Sequence, residues 1–155
     1  MANMSREIDR ILDANLNRVR EGLRVVEELG RLVLEDRGLQ QALKAIRHKL
    51  AEVEKKHLGR GLILSRDVQR DPGVHSNLAG ERSRGGFAEL AQANFRRTQE
   101  GLRVLEEVSK LDQRGGSEAF KQLRFKLYVL EQNLTGRLVK AKRARRGIKQ
   151  EGRMS

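Results

Sequence analysis

The chain has 155 residues and a formal net charge of +12 at pH 7, length enough for one domain with a core and too little for two ordinary ones. Charged residues make up 35% and the apolar AVILMFWYC set 37%, a balance that excludes general disorder, and the lack of cysteine excludes disulfides, thiolate catalysis and Cys-based metal sites. Four Phe and one Tyr leave little to stack on bases, which argues against a single-strand nucleic-acid platform.

A helix is predicted over roughly 6–35, where Ile8, Leu12, Leu16, Val19, Leu23 and Val26 recur at steps of three and four and so share one stripe. Ser5 is its expected cap. On the shoulder of the stripe stand Asn15, Arg18 and Gly22, with Glu21 and Glu28 just beyond. After a turn at Glu35 to Gly38, a second helix over roughly 39–58 carries Leu43, Ile46, Leu50 and Val53 on one face. Arg47 and Glu54 lie beside that face as a salt bridge or as a second polar shoulder. His57 falls on the stripe opposite Leu134 as a partly buried core histidine, and His48 is expected to pack as its counterpart Phe125 does.

Residues 59–86 lack helical periodicity and read as a long central linker. It holds Ser65-Arg66-Asp67 and Arg70-Asp71-Pro72-Gly73. Two carboxylates four apart among arginines suit a magnesium-phosphate site, whereas Asp-Pro-Gly taken alone is an ordinary turn. Gly85-Gly86, before the third helix, offers backbone N–H groups to an anion or serves as flexible linker.

The third helix, roughly 86–112, repeats the first. Ala14-Asn15 with Arg18, and Glu21 through Glu28, recur as Ala93-Asn94 with Arg97, and Glu100 through Glu107, at an offset of 79. The fourth, roughly 117–139, repeats the second at an offset of 77, with Phe120, Leu123, Leu127, Leu130 and Leu134 on its stripe and Arg124, Tyr128 and Glu131 beside it. The expected fold is therefore all-α: a four-helix bundle built from two repeated αα-hairpins, about 6–60 and 86–139, in a domain spanning 1–139. A glycine inside a helix costs about 0.8–1 kcal/mol against alanine, so Gly22 and Gly101 at matched places ask for a gain. Close crossing of the first and third helices supplies one, and it gathers Asn15, Arg18, Asn94 and Arg97 into a polar cluster.

Half of the net positive charge lies in 140–155, expected as a basic, disordered tail. Such a segment is the one place where nucleic acid or an anionic surface would bind. There is no long apolar run and no signal-peptide core, so no membrane association and a cytoplasmic location are expected. Neither the P-loop nor the dinucleotide glycine pattern occurs, and three scattered histidines make no zinc site.

The block Asp13-Ala14-Asn15-Leu16-Asn17-Arg18 with Glu21-Gly22-Leu23-Arg24-Val25-Val26-Glu27-Glu28, its repeat around Arg97 and Glu100, Ser65-Arg66-Asp67 with Asp71-Pro72-Gly73, and Leu123-Arg124 with Tyr128 and Leu130-Glu131 resemble the small hydroxymethylpyrimidine-phosphate kinase family. The resemblance covers roughly 6–138; Pro72 stands where the family usually has Val, and the basic tail lies outside it. That family occurs alone or fused ahead of thiamine-phosphate synthase, whose catalytic barrel is missing from this sequence. The resemblance implies transfer of the γ-phosphoryl of ATP to 4-amino-5-hydroxymethyl-2-methylpyrimidine phosphate, with ATP and Mg²⁺ required. The residues expected to serve it are Arg18, Arg66 and Arg97 at the reacting phosphates, Asn15, Glu21, Arg47, Asn94, Glu100 and Arg124 in substrate and nucleotide binding, and Asp67 and Asp71 at Mg²⁺. Expected partners are the pyrimidine phosphate, ATP, thiamine-phosphate synthase and a second copy of this chain. The competing reading is a basic helical module that binds RNA or protein without catalysis.

Overall fold

In the computed structural model, which describes residues 2–59, 61–75 and 84–151, the protein is all-α: four long helices and no strand among the described residues. They are α1 (Ala2–Glu28), α2 (Arg37–Val53), α3 (Phe87–Val108) and α4 (Ser117–Glu151). The predicted stripes are the core. Ile8, Leu12, Leu16, Val19, Leu23 and Val26 on α1 are at most 2% exposed, and they meet Leu43, Ile46 and Leu50 of α2, Phe95, Leu102 and Leu105 of α3, and Phe120, Leu127 and Leu134 of α4. Burying each Leu or Phe contributes about 1.5–3 kcal/mol, which is what holds four amphipathic helices together despite their high charge.

Each helix of the first half ends in a wide π turn, Leu29–Val33 after α1 and Glu54–Leu58 after α2. The i→i+5 bonds from Leu34 N to Leu29 O (3.1 Å) and from Gly59 N to Glu54 O (3.2 Å) close them. The two inter-helix turns hold a left-handed residue at comparable places, Glu35 (φ 51°) and Gln113 (φ 57°). Asp36 then caps α2, its carboxylate accepting from Leu39 N at 2.8 Å, and Arg137 of α4 pairs with the same carboxylate. Arg114, in the α3–α4 turn, reaches Asp9 of α1 at 2.6 Å, and its carbonyl lies 3.1 Å from His57 Nδ1.

Several expectations need correction. Ser5 does not cap α1, because the helix begins at Ala2 and Ser5 sits within its first turn. His57 is half-buried as expected, with its ring against the turn glycines Gly115 and Gly116. His48 and Phe125 do not pack: both are exposed, since their faces of α2 and α4 point away from the bundle. The tail expected to be disordered from 140 is helical through Glu151, because Ala, Lys and Arg are strong helix formers and nothing after Val139 stops α4. Linker residues 60 and 76–83 and tail residues 152–155 lie outside the described residues.

Gly22 and Gly101 mark the crossing of α1 and α3, as their repetition predicts. A methyl group at Gly22 would collide with the Thr98 hydroxyl and lie 2.9 Å from Asn94 O, and one at Gly101 would lie 2.7 Å from Val19 Cγ2 and 3.4 Å from Asn15 O. Gly22 faces Asn94 while Gly101 faces Asn15, so the helices run antiparallel and the halves are related by a pseudo-two-fold axis through the crossing.

Candidate active site

The linker is what breaks that symmetry. Leaving α2, the chain turns at Gly59 (φ 75°), which favours glycine, and returns over α1 through two 3-10 turns, Leu62–Ser65 and Pro72–His75. Leu62 is buried in the core, and Ser65 is buried with its hydroxyl on Leu62 O at 2.6 Å. This anchors Arg66, whose Nε and Nη2 donate to Oδ2 and Oδ1 of Asp13 at 2.7 and 2.8 Å. Asp13 is 7% exposed, so two charged hydrogen bonds compensate its burial. The Asp13 hydrogen bonds, with the charge behind them, raise the guanidinium pKa above its ordinary value.

Between the returning linker and α1 lies an open cavity of about 790 Å³. Its wall carries Asn15, Arg18 and Glu21 of α1, Arg66, Asp67 and Asp71 of the linker and Arg97 of α3, so seven of the eleven predicted site residues meet there. Glu7, Arg10, Asp13 and Asn17 join them. Arg18 Nη1 donates to Asn15 Oδ1 at 3.4 Å, Asn15 Nδ2 donates back to Ile11 O at 2.9 Å, and Arg97 Nη2 stands 4.0 Å from Glu21 Oε2. Asp67 Oδ1 accepts from Arg70 N at 3.2 Å and Asp71 Oδ1 from Gly73 N at 2.8 Å, the latter being the Asp-Pro-Gly turn that the sequence predicts.

The other four predicted residues do not line this cavity. Arg47 binds Glu27 (3.1 Å) and not Glu54, which pairs with Arg20 instead. Arg124 binds Glu106 (2.8 Å) as well as Tyr128 (3.0 Å), and the hydrogen bond to Glu106 is the first cause raising its pKa. Glu27 and Glu106 are repeat mates, each 4% exposed, and a buried carboxylate requires such a cation. Asn94 Nδ2 donates to Leu90 O at 2.9 Å, and Glu100 is exposed. Gly85 N donates to Glu89 Oε2 at 2.7 Å, so the chain supplies its own anion there. Asp13, Asn17, Arg10 and Glu7 were not expected; the signal for the first two is that their repeat mates, Gln92 and Arg96, differ from them in charge, as the mate of Arg20, Gln99, also does.

Comparison with known proteins settles the relationship. Residues 10–133 match the ThiD2 family, across most of the bundle and the linker that walls the cavity. The chain belongs to the ThiD2 family. Curated relatives of this ThiD2 chain include the thiamine-phosphate synthases of Nostoc punctiforme (44% identity over 127 residues, 82% of this chain and 35% of that one), Synechocystis (45% over 129 residues, 83% and 36%) and Rhodopirellula baltica (39% over 125 residues, 81% and 33%). The chain spans about a third of the length of those relatives. No solved structure matches it.

Proposed function

We propose that this ThiD2 chain acts in thiamine biosynthesis as an ATP-dependent kinase, phosphorylating 4-amino-5-hydroxymethyl-2-methylpyrimidine phosphate to its diphosphate. What carries the reading is the convergence of Arg18, Arg66 and Arg97 on one cavity beside Asn15 and two linker carboxylates. The acceptor's phosphate monoester has its second pKa at about 6, so its attacking oxygen is already ionised at neutral pH and no general base is needed. That oxygen forms the new bond to the γ-phosphorus, ADP leaves with the electron pair, and no proton is transferred. The protein's task is to hold two anionic groups in line. Arginine forks suit it, because they bind phosphate oxygens bidentately.

The cavity wall carries four arginines against five carboxylates, so the arginines alone do not neutralise two phosphate-bearing ligands. Asp67 and Asp71 each keep a carboxylate oxygen beyond the one bonded to backbone, that of Asp67 standing 3.9 Å from Arg70 Nε, and no group of three or more ligating side chains exists among the described residues. Two carboxylates fit Mg²⁺ that arrives on phosphate oxygens, the usual arrangement for that ion. Asp67 and Asp71 would hold it, and its chemistry would be charge neutralisation across the transferred phosphoryl group.

The test is ADP release with the pyrimidine monophosphate, compared with the unphosphorylated alcohol, which needs a base and lacks the phosphate. Arg18→Lys should fold normally yet lose at least about tenfold in rate, since lysine keeps charge but not the planar fork. Asp67→Asn should raise the Mg²⁺ concentration required, and activity should fall below about pH 6 with the acceptor's second ionisation. Equal turnover of the alcohol, or wild-type rates in both variants, would remove the proposal.

A further inference from the structure

We infer that Asp13 is a positioning residue: it fixes the Arg66 guanidinium in the cavity wall and thereby confines phosphate binding to the first of the two repeated halves. The inference rests on the phosphoryl-transfer reading for the kind of ligand, and on geometry for the rest. The fork uses Arg66 Nε and Nη2, which fixes the plane of the guanidinium and leaves its outer N–H donors for the cavity it lines. Without Asp13, Arg66 would be an arginine just past a 3-10 turn on a flexible stem, its head unoriented. Asn17 Nδ2 lies 3.5 Å from Asp13 Oδ2 on the same wall.

The second half shows what happens where the pair is absent. Gln92 replaces Asp13, and one amide oxygen cannot receive a two-pronged fork. Arg96 replaces Asn17 and Glu89 replaces Arg10, and Glu89 is already engaged with Gly85 N. At the repeat mate of Gly59, Gly136, the chain does not turn back over α3 but continues as α4 to Glu151. Asn94 and Glu100 therefore mirror Asn15 and Glu21 in sequence without a returning linker turn over them among the described residues.

Titration calorimetry with magnesium pyrophosphate and with the pyrimidine monophosphate tests this, alongside steady-state kinetics and circular dichroism. Wild-type protein should bind one equivalent of the monophosphate. Asp13→Asn and Arg66→Lys should each weaken binding about tenfold or more and raise KM for the acceptor more than they lower kcat. The double variant should bind no more weakly than Arg66→Lys alone, because both lesions act on one guanidinium. Asp13→Glu should recover part of the loss, and Gln92→Ala should bind as wild type. Should Asp13→Asn fail to fold, Arg66→Lys and Arg66→Ala at the exposed end of the pair read the same site. Two equivalents bound, wild-type affinity in the Arg66 variants or in folded Asp13→Asn, or losses that multiply in the double variant would overturn the inference while leaving the kinase reading standing. Wild-type protein that binds neither probe would remove the phosphate reading and this inference together.

Discussion

Asp36 does two things at the head of α2: its carboxylate caps the helix through Leu39 N, and it pairs with Arg137 on α4. The backbone hydrogen bond first, and the Arg137 hydrogen bond second, hold its pKa below the ordinary 3.8. A carboxyl group whose folded pKa is depressed contributes stability above its unfolded pKa, and that contribution disappears as pH falls through the folded value. Asp36→Ala should therefore melt below wild type at pH 7, and the gap should narrow as pH falls below about 4, toward what a neutral capping oxygen contributes. Asp36→Asn, which keeps a capping oxygen but no charge, should fall between the two at pH 7. Thermal melts at pH 7 and near pH 3 check this; a gap unchanged between the two pH values would show that charge plays no part. Residue-scale chemistry was the least legible in the sequence. Arg47 and Arg124 flank their stripes much as Arg18 and Arg97 do, and what separates them is a buried glutamate on another helix, Glu27 or Glu106. Spacing along one helix does not carry that partner. Asp13 hid for the same reason, its arginine lying 53 positions away.

At the scale of the element, the helices and their buried faces were readable because a 3.6-residue period and the near absence of proline leave little else for those stretches to form. Their ends were harder: the π turns after α1 and α2 and the run of α4 past Val139 depend on packing and on the lack of a stop signal, neither of which periodicity reports. The crossing was legible from composition, since two costly glycines at matched positions require a gain that close approach of their helices supplies. Gly22→Ala should then be destabilising even though alanine is the better helix former by about 0.8–1 kcal/mol. Its methyl would meet Asn94 O, a backbone atom that cannot rotate away, and the buried Thr98 hydroxyl. A net loss of about 1–3 kcal/mol is expected from overpacking, read by denaturant melts. Ala at Gly136, exposed within α4 with nothing within 4 Å of an added methyl, is the control. Unchanged or increased stability in Gly22→Ala would show that the helices separate to admit a methyl group.

For the whole molecule, duplication explains the bundle but not the cavity. Both halves supply an Asn-Arg-Glu shoulder, yet only the first is followed by a chain that turns at glycine and folds back. In the second the equivalent stretch prolongs α4 as a basic helix. Among the described side chains the last buried one of α4 is Leu138, and Lys140, Lys142, Arg143 and Arg145 are exposed. No helix among the described residues is long and apolar enough to cross a membrane, and a helical arm of this kind adds charge without adding core. Ending the chain after Val139 should accordingly leave the melting temperature within about 2 °C of the full chain, because less than about 1 kcal/mol of packing is removed. Turnover should be unchanged, since among the described residues no cavity residue follows Arg97. Binding to a generic polyanion such as heparin should weaken and lose part of its salt dependence, the charge having gone with the arm. A fall of many degrees would mean that the arm near Gly86, where Lys142 Nζ approaches the start of α3, packs as part of the bundle; a fall in rate alone would mean that its cations reach the substrate.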